Sequence, residues 1–209
     1  MSMLFDPTKH SFHESHKLMI GSILPRPIAF VSTMSKNGVL NLAPFSYFNG
    51  VCSNPPTIMF APARRGYDGK IKDTLKNIQD TNEFVVNIVS EEFVDEMVAC
   101  ATDFDPTVNE FDESGLTPGS SQKVRPPTVE ESKISFECEL HKIIEIGDGS
   151  PGSGFIVIGT IVMFHINDSV YENGRINLEK LGPVGRLSGN NYTKITNIFE
   201  SIPKIKPDK

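Results

Sequence analysis

The sequence predicts a mostly β fold with a minor share of α-helix. Short apolar runs typical of strands follow one another along the chain, and 16 glycines and 15 prolines interrupt them. These runs do not alternate regularly with helical patterns. A parallel sheet built from βαβ units is therefore disfavoured.

The first strands are predicted to form a hairpin. Two apolar runs, Ile28–Thr33 and Val39–Phe45, flank an Asn-Gly pair at 37–38, and these residue types tolerate the positive φ angles of a tight turn. Residues 48–56 are predicted to be a loop that leads into a strand over Thr57–Ala61. Polar residues recur near the ends of these runs, which predicts the wall and rim of a ligand site. They are Arg26, Ser32, Thr33, Asn41, Ser46, Ser53 and Asn54.

The next segment is basic. From Arg64 to Lys76 there are five basic residues against two acidic ones, in a chain whose net charge is −6. Asp73 or Thr74 is predicted to cap a helix that runs to about Gln79. The N–H groups and dipole at a helix start favour an anion such as phosphate, and lysine or arginine adds charge-assisted hydrogen bonds. The alternative is a solvated basic turn that binds nothing.

A buried strand and a second helix are predicted to follow. Phe84–Val89 is almost wholly apolar, as a buried strand is. Glu91–Ala101 has apolar residues at helical spacing, and Ser90 is its predicted N-cap. The acidic segment 103–125 is rich in glycine, proline and serine. We expect it to be a long loop that either covers the site or reaches across a dimer interface.

Two long strands, Ile134–Ile146 and Phe155–Ile166, are predicted to form the last large hairpin. The glycine-rich turn between them is not a nucleotide-binding loop, because no helix follows it. The second strand is so continuously apolar that we expect burial on both faces, by the core and by a partner. The chain is therefore predicted to form a homodimer.

Composition limits the partners and the location. The 209 residues are compatible with one domain over 1–209, with 1–17 and 194–209 as peripheral extensions. The negative net charge disfavours nucleic acid and anionic membranes as partners. No apolar run approaches the ~18 residues that span a bilayer, and no signal-peptide pattern is present. With three widely spaced cysteines, the sequence predicts a cytoplasmic protein.

The sequence contains no motif for hydrolysis, phosphoryl transfer or metal catalysis. The histidines at 10, 13 and 16 are expected to be solvated or to face a partner rather than to bind a metal. What the chain offers is an apolar wall rich in hydroxyl and amide groups beside a basic helix start. That combination suits a flat aromatic ligand with a phosphate tail. If such a cofactor performs the chemistry, the protein needs only to bind, orient and tune it.

Several stretches, taken in order, resemble the flavin reductase-like family of split-barrel proteins that bind flavin mononucleotide (FMN), which includes flavoredoxin-type members. They extend from about residue 18 to 192, and although each is weak alone, together they are specific. The matching stretches are PRPIA and VST (25–33), NLAPFSYFN (41–49), SNPP (53–56), KDTLKNI (72–78), EFVVN (83–87), VIG (157–159) and PVGRL (183–187) with Tyr192.

The resemblance implies a Greek-key split β-barrel that dimerises, with FMN in a groove near the subunit interface. It implies that 41–43 and 53–55 line the isoalloxazine ring and ribityl chain, and that 32–33 and 72–74 hold polar ends, including the phosphate. The expected cofactor-binding residues are Arg26, Ser32, Thr33, Asn41, Leu42, Ala43, Ser46, Ser53, Asn54, Pro55, Lys72, Asp73, Thr74, Arg186 and Tyr192.

The resemblance also implies a function. We expect an NAD(P)H-dependent flavin reductase in which hydride passes from nicotinamide to the flavin N5. Backbone N–H groups around 41–43 would stabilise the charge that develops on the pyrimidine end of the ring. The alternatives are an FMN-carrying electron-transfer protein that serves a partner protein, and a β-barrel dimer with a degenerate site. Asn54 stands where the family often has an aspartate before Pro-Pro, which removes a negative charge near the flavin.

Overall fold

The computed structural model describes residues 2–201, in which most of the regular structure is β. Residues 202–209, which belong to the predicted C-terminal extension, lie outside the described residues. The strands are β1 (Ala29–Met34), β2 (Leu40–Phe45), β3 (Phe48–Ser53), β4 (Pro56–Phe60), β5 (Glu83–Ile88), β6 (Pro118–Gly119), β7 (Thr128–Val129), β8 (Ile134–Ile146), β9 (Gly154–Ile166), β10 (Tyr171–Glu172), β11 (Arg175–Ile176), β12 (Val184–Arg186) and β13 (Tyr192–Lys194).

Helices are few and short. Two single-turn 3-10 helices occupy Pro7–Lys9 and Asp168–Val170. The α-helices are α1 (Phe12–Ser22), α2 (Asp73–Thr81), α3 (Val94–Ala99), α4 (Glu110–Ser114) and α5 (Leu178–Leu181). None of the helices in residues 2–201 has the length and apolar character needed to cross a membrane.

Seven strands form one antiparallel sheet in the order β2-β1-β5-β8-β9-β4-β3. Strands distant in the chain are neighbours, since β1 pairs with β5 and β4 pairs with β9. The two edge strands of this sheet are β2 and β3, and they follow each other in the chain. The turn between them brings the two ends of the sheet together, which is how an open sheet curls toward a barrel.

The predicted first hairpin is present. Its register pairs Thr33 with Asn41, and Gly38 adopts a φ of +85° in the turn, a value that favours glycine. The prediction of a loop over 48–56 is wrong for most of that segment, because β3 pairs with β4 there. The strand was missed because residues 49–53 are all exposed, so that no apolar alternation marks a buried face.

The pleat of β1 divides the core into two clusters. Ala29 and Val31 face a cluster that includes the packed rings of Phe45, Phe60 and Phe84. Phe30 faces the other cluster, which contains residues of α3 and α4. Successive side chains of a strand point to opposite faces, so β1 is buried on both sides. The same alternation later decides which residues can reach the candidate site.

The helix predictions were right in position and wrong at the caps. Helix α2 starts at Asp73, with Lys72 as an N-cap residue that makes no side-chain capping hydrogen bond. Helix α3 is shorter than predicted, and Ser90 forms a β-bridge with Pro183 instead of capping it. The segment 103–125 is not a featureless loop, because it contains α4 and β6.

The long hairpin of β8 and β9 has the predicted bounds to within one residue. Within the chain, β9 is not buried on both faces, because fully buried and partly exposed residues alternate along most of its length. Near its end Phe164 is 47% exposed and Ile166 is 37% exposed. The folded chain therefore leaves part of the apolar surface of this strand exposed.

A buried carboxylate anchors the segment before β7 to the sheet. Glu137 on β8 is fully buried and accepts hydrogen bonds from the backbone N–H groups of Gln122, Lys123 and Val124 at 2.8, 2.6 and 3.0 Å. Its Oε1 also lies 2.5 Å from Nε2 of His165 on β9. Burial acts to raise the pKa of Glu137, but these hydrogen bonds outweigh it and lower the pKa below its ordinary value.

We expect Glu137→Gln to lower the free energy of unfolding by about 1–3 kcal/mol at pH 7, because the amide cannot accept all four hydrogen bonds. A carboxyl whose pKa is lowered on folding contributes stability above its unfolded pKa and loses it as the pH falls through the folded pKa. The difference between the variant and the parent should therefore shrink in urea titrations below about pH 4.3. Glu139→Gln, at an exposed position of the same strand, is the control. Equal stability of the Glu137→Gln variant and the parent at pH 7 would contradict the anchoring role.

Candidate functional site

A cavity of about 360 Å³ opens beside the edge strand β2, in the range of small-molecule sites. Its walls come from α1, β2, the segment after β4, the start of α2, the segment after α3, and β12 with the residues that follow it. The polar and charged residues that line it are His16, Arg26, Asn41, Ser46, Tyr47, Arg64, Arg65, Lys72, Asp73, Thr74, Thr102, Asp103, Glu110 and Arg186.

A buried hydrogen-bond network forms the wall on the β2 side. The Asn41 Oδ1 accepts from the Thr74 hydroxyl at 2.7 Å and from the Thr33 hydroxyl at 3.2 Å, while Asn77 Nδ2 donates to Thr33 Oγ1 at 3.1 Å. On its other side the Asn41 Nδ2 donates to Glu110 Oε1 at 2.6 Å. The network thus ties β1 and β2 to the starts of α2 and α4, and it fixes the orientation of the Asn41 carboxamide.

Glu110 is the acidic member of this network and is only 6% exposed. Its Oε2 accepts the backbone N–H of Leu42 at 3.0 Å. Burial raises the pKa of Glu110 above its ordinary value, and the negative charge of Asp73 raises it further, although the hydrogen bonds act in the opposite direction. The Leu42 N–H belongs to the stretch 41–43 whose backbone N–H groups are expected to face a ligand, but it is already bonded to the Glu110 side chain.

Three basic side chains, those of Arg64, Arg65 and Lys72, line the same cavity as the start of α2. Lys72 Nζ lies 2.8 Å from Asp103 Oδ1, Arg65 Nη2 lies 2.9 Å from Asp73 Oδ2, and Arg64 Nη2 lies 2.6 Å from Glu145 Oε1. No side chain of the described residues caps the helix, so its first N–H groups remain available. The arrangement supplies positive charge and a helix N-terminus in one place, which is suited to a phosphate.

A second basic pair lines the cavity where β12 meets the chain before β1. The backbones of Arg26 and Arg186 form a β-bridge. Arg26 is 4% exposed, and its guanidinium donates to Ser46 Oγ at 3.3 Å and to the carbonyls of Ile20, Ile23 and Leu187 at 2.9–3.0 Å. Arg186 lies over the ring of Tyr192, 4.5 Å from its centroid.

Unsatisfied polar atoms are concentrated at this cavity. Among the described residues, four buried side-chain nitrogen or oxygen atoms have no hydrogen-bond partner, and they belong to Tyr47, Arg64, Arg65 and Ser90. The first three of these residues line the cavity. Buried polar groups in proteins are nearly always paired, so these atoms are available to bond a ligand or water.

The thiol of Cys100 also lines the cavity, but it is not a reactive group. Burial raises its pKa to about 11, which keeps it protonated at neutral pH. All three cysteines are free, and Cys52 is exposed on β3.

The structure brings many of the predicted site residues to the cavity. Those that line it are Arg26, Asn41, Ala43, Ser46, Lys72, Asp73, Thr74 and Arg186. Tyr192 does not line the cavity but contacts Arg186. The Tyr192 ring packs against the Arg186 guanidinium, and the Tyr192 hydroxyl accepts a hydrogen bond from Arg186 Nη1.

Other predicted residues lie outside the cavity for reasons of geometry. The pleat of β1 and β2 points Ser32 and Leu42 to the opposite face from Asn41, and Ser32 donates its hydroxyl to the carbonyl of Pro127. Thr33 lies behind the wall, where it supports Asn41. The three residues 53–55 sit at the exposed turn between β3 and β4, away from this cavity.

Several lining residues are not predicted from the sequence. Arg64 and Arg65 belong to the basic segment but are not among the expected cofactor-binding residues, although their position in the chain just before the helix start is a usable signal. Glu110 gave no signal, because it sits in a long acidic segment among similar residues. His16 was expected to face solvent or a partner, and it lies on α1 at the rim of the cavity.

The chain matches the model of the flavin reductase like domain over residues 20–181. Nitrilotriacetate monooxygenase component B from Bacillus cereus is 39% identical, with a TM-score of 0.91 over 96% of this chain and 99% of that one. The 2-nitrobenzoate 2-nitroreductase of Pseudomonas fluorescens is 30% identical, with a TM-score of 0.86 over 99% of both chains. A split-barrel protein from Shewanella frigidimarina matches at 20% identity and a TM-score of 0.81 over 98% of this chain and all of that one, which bears on the fold alone.

These matches confirm the predicted mostly β split-barrel fold and the resemblance drawn from the sequence motifs. The name of the family and the names of the first two similar proteins indicate oxidoreductase activity, and the name of the family indicates a flavin. The chain is a member of the flavin reductase-like domain family.

Proposed function

We propose that this protein is an FMN-binding oxidoreductase that reduces flavin with NAD(P)H. The observation that carries the proposal is the cavity beside β2, where three buried polar atoms lack partners among the described residues and where basic side chains meet a helix N-terminus. Family membership supports a flavin as the ligand. The choice of FMN rests on the single phosphate that this arrangement suits.

The residues present fit such a cofactor. The cavity combines an apolar strand surface at Ala43 and Phe45 with hydroxyl and amide groups at Asn41, Ser46 and Thr74. A flat aromatic ring can pack on the former while a polyol chain bonds to the latter. When bound, a flavin supplies the hydride and electron transfer for which the side chains here have no chemistry of their own.

The start of α2 is the proposed phosphate anchor. Lys72, Arg64 and Arg65 would bind the phosphate oxygens, and Arg64 and Arg65 each keep an Nε–H without a partner in the described structure. The carboxylates of Asp73 and Asp103 hold the basic side chains in place in the absence of an anion. A bound phosphate would then displace the carboxylate from one of these ion pairs, because the basic side chains are already paired before it binds.

The Asn41 network has a supporting role in this proposal. Because Glu110 and Thr74 hold the two ends of the Asn41 carboxamide, the amide presents a fixed set of atoms to a ligand. The Leu42 N–H is bonded to Glu110, and Pro44, the next residue whose N–H position points outward from the edge strand, has no N–H. The ring is therefore proposed to be held by side chains and charge more than by the backbone of β2.

Homodimerisation is part of the proposal. Helix α1 has no buried residue, and its apolar side chains are exposed to solvent. Phe12, Leu18 and Met19 are between 41% and 47% exposed. The end of β9 leaves Phe164 and Ile166 uncovered as well. Exposed apolar surface on this scale supports a second copy as the partner.

Lys72→Ala is expected to weaken FMN binding about 10- to 100-fold, because it removes a charge-assisted hydrogen bond worth about 1.5–3 kcal/mol. Quenching of FMN fluorescence on titration with protein measures the dissociation constant. Lys76→Ala is the matched control, since Lys76 lies one turn further along α2 and pairs with Asp80 at the surface. An unchanged dissociation constant for the Lys72→Ala variant would remove this residue from the phosphate anchor.

Steady-state oxidation of NADH and of NADPH, each with added FMN, is expected to show turnover with at least one of them. The assay separates the reductase from its alternative. Tight FMN binding without turnover would refute the reductase activity and leave an electron-transfer protein that depends on a partner.

Sedimentation velocity at micromolar concentration is expected to show a dimer, and Phe164→Glu to shift it toward monomer, because a charge cannot be buried unpaired in an apolar interface. A monomeric parent protein would refute the dimer. A dimer that the substitution leaves intact would place the interface away from this end of β9.

A further inference from the structure

The basic side chains that line the cavity fall into two groups. No described residue forms an ion pair or hydrogen bond with the side chains of both groups. Arg64, Arg65 and Lys72 each pair with a carboxylate. The second group, Arg26 and Arg186, bonds only to hydroxyl and carbonyl oxygens, and no described carboxylate forms an ion pair with either. The first group is close to electrically neutral by pairing, whereas the second carries two uncompensated positive charges.

Burial of the positively charged Arg26 side chain costs free energy. Its side chain is almost fully buried, and burial together with the charge of Arg186 lowers its pKa, against the opposing influence of Tyr47. Its hydrogen bonds orient the guanidinium but do not neutralise it. A buried charge is normally paired with an opposite one, so an anion in the adjoining cavity would remove part of this cost.

Arg186 has the donors that such an anion needs. It stacks on Tyr192 and uses two of its N–H groups, toward the Tyr192 hydroxyl and toward the Gly189 carbonyl at 2.6 Å. A guanidinium has five N–H groups, so three remain for a ligand. Stacking and these two hydrogen bonds hold the group in one orientation, which lowers the entropy lost on binding.

An unsatisfied hydroxyl lies in the same part of the cavity. Tyr47 Oη is buried without a partner in the described residues, and Tyr47 follows Ser46, the residue that bonds Arg26. It can donate to an anion or to a polar atom beside one. Two uncompensated charges, free guanidinium donors and this hydroxyl therefore occur together.

We infer that Arg186, with Arg26 and Tyr47, forms an anion subsite for the second ligand of the cavity, the molecule that exchanges electrons with the flavin. The inference rests on the proposed function, in which the single phosphate of FMN is held at the start of α2. The second ligand then carries a carboxylate or a phosphate, and Arg186 is the residue that selects for it. This role replaces, for Arg26 and Arg186, the cofactor binding that the family resemblance implies. The subsite disfavours neutral aromatic compounds of the same size.

The test compares the FMN-loaded parent protein with Arg186→Gln and with Arg175→Gln. Arg175 is an exposed arginine of β11 and lies outside the cavity, so it controls for the loss of one positive charge. The dissociation constant of FMN is measured first, by fluorescence quenching. The loaded proteins are then titrated with NADP⁺, with benzoate and with benzamide, a neutral analogue of benzoate, and perturbation of the visible flavin spectrum reports binding.

Support for the subsite is an Arg186→Gln variant that binds FMN as the parent does but binds NADP⁺ or benzoate about tenfold or more weakly, while benzamide binding is unchanged. The anion whose affinity falls identifies phosphate or carboxylate as its source. Equal anion affinity in all three proteins would overturn the inference, as would a parent protein whose flavin spectrum responds to neither anion. A tenfold loss of FMN affinity in the Arg186→Gln variant would also overturn it, because Arg186 would then hold the cofactor. If the parent takes up no FMN, the proposed function itself fails.

Discussion

The hydrogen-bonded pair of Asn41 and Glu110 is the interaction on which the candidate site depends. A buried carboxylate is tolerated only when its oxygens are bonded, and Glu110 meets this condition with the Asn41 amide and the Leu42 N–H. The same bonds join α4 to the exposed edge of β2, which would otherwise present unpaired backbone groups. Through Thr74 the network extends to the start of α2. One set of bonds therefore covers the sheet edge and positions the helix end beside the cavity.

The electrostatics of the cavity contrast with those of the chain. The protein carries a net charge of −6, yet five lysine and arginine side chains converge on one cavity. Three of them are held by carboxylates and two by neutral oxygens. Paired cations keep their geometry while no ligand is bound, whereas unpaired ones give a net positive field. Under the proposed function, the two arrangements would suit two different anions, one carried by the cofactor and one by a second ligand.

The sequence predicted those parts of the fold that depend on local pattern. The Asn-Gly turn, the two long strands and the basic start of α2 each follow from a few neighbouring residues, and the structure has all three. It did not predict β3, whose side chains are exposed and so carry no apolar alternation. Strand register also matters, since Leu42 lies between Asn41 and Ala43, which line the cavity, and points to the opposite face. Glu110 and the bridge between Arg26 and Arg186 depend on contacts between distant segments, which no local pattern contains.

The hydrogen bonds already made on the β2 side of the cavity limit how the protein could influence a bound flavin. The Asn41 oxygen and one of its two N–H groups are engaged within the network, and the Leu42 N–H is bonded to Glu110. The direct donors left on this side are few, namely the second amide N–H of Asn41 and the hydroxyls of Ser46 and Tyr47. The arginine charges, by contrast, act over several ångströms in a partly buried space where water screens them weakly. Tuning of a bound ring would therefore come mainly from fixed charges around the cavity, and the network contributes by keeping the groups that carry them in place.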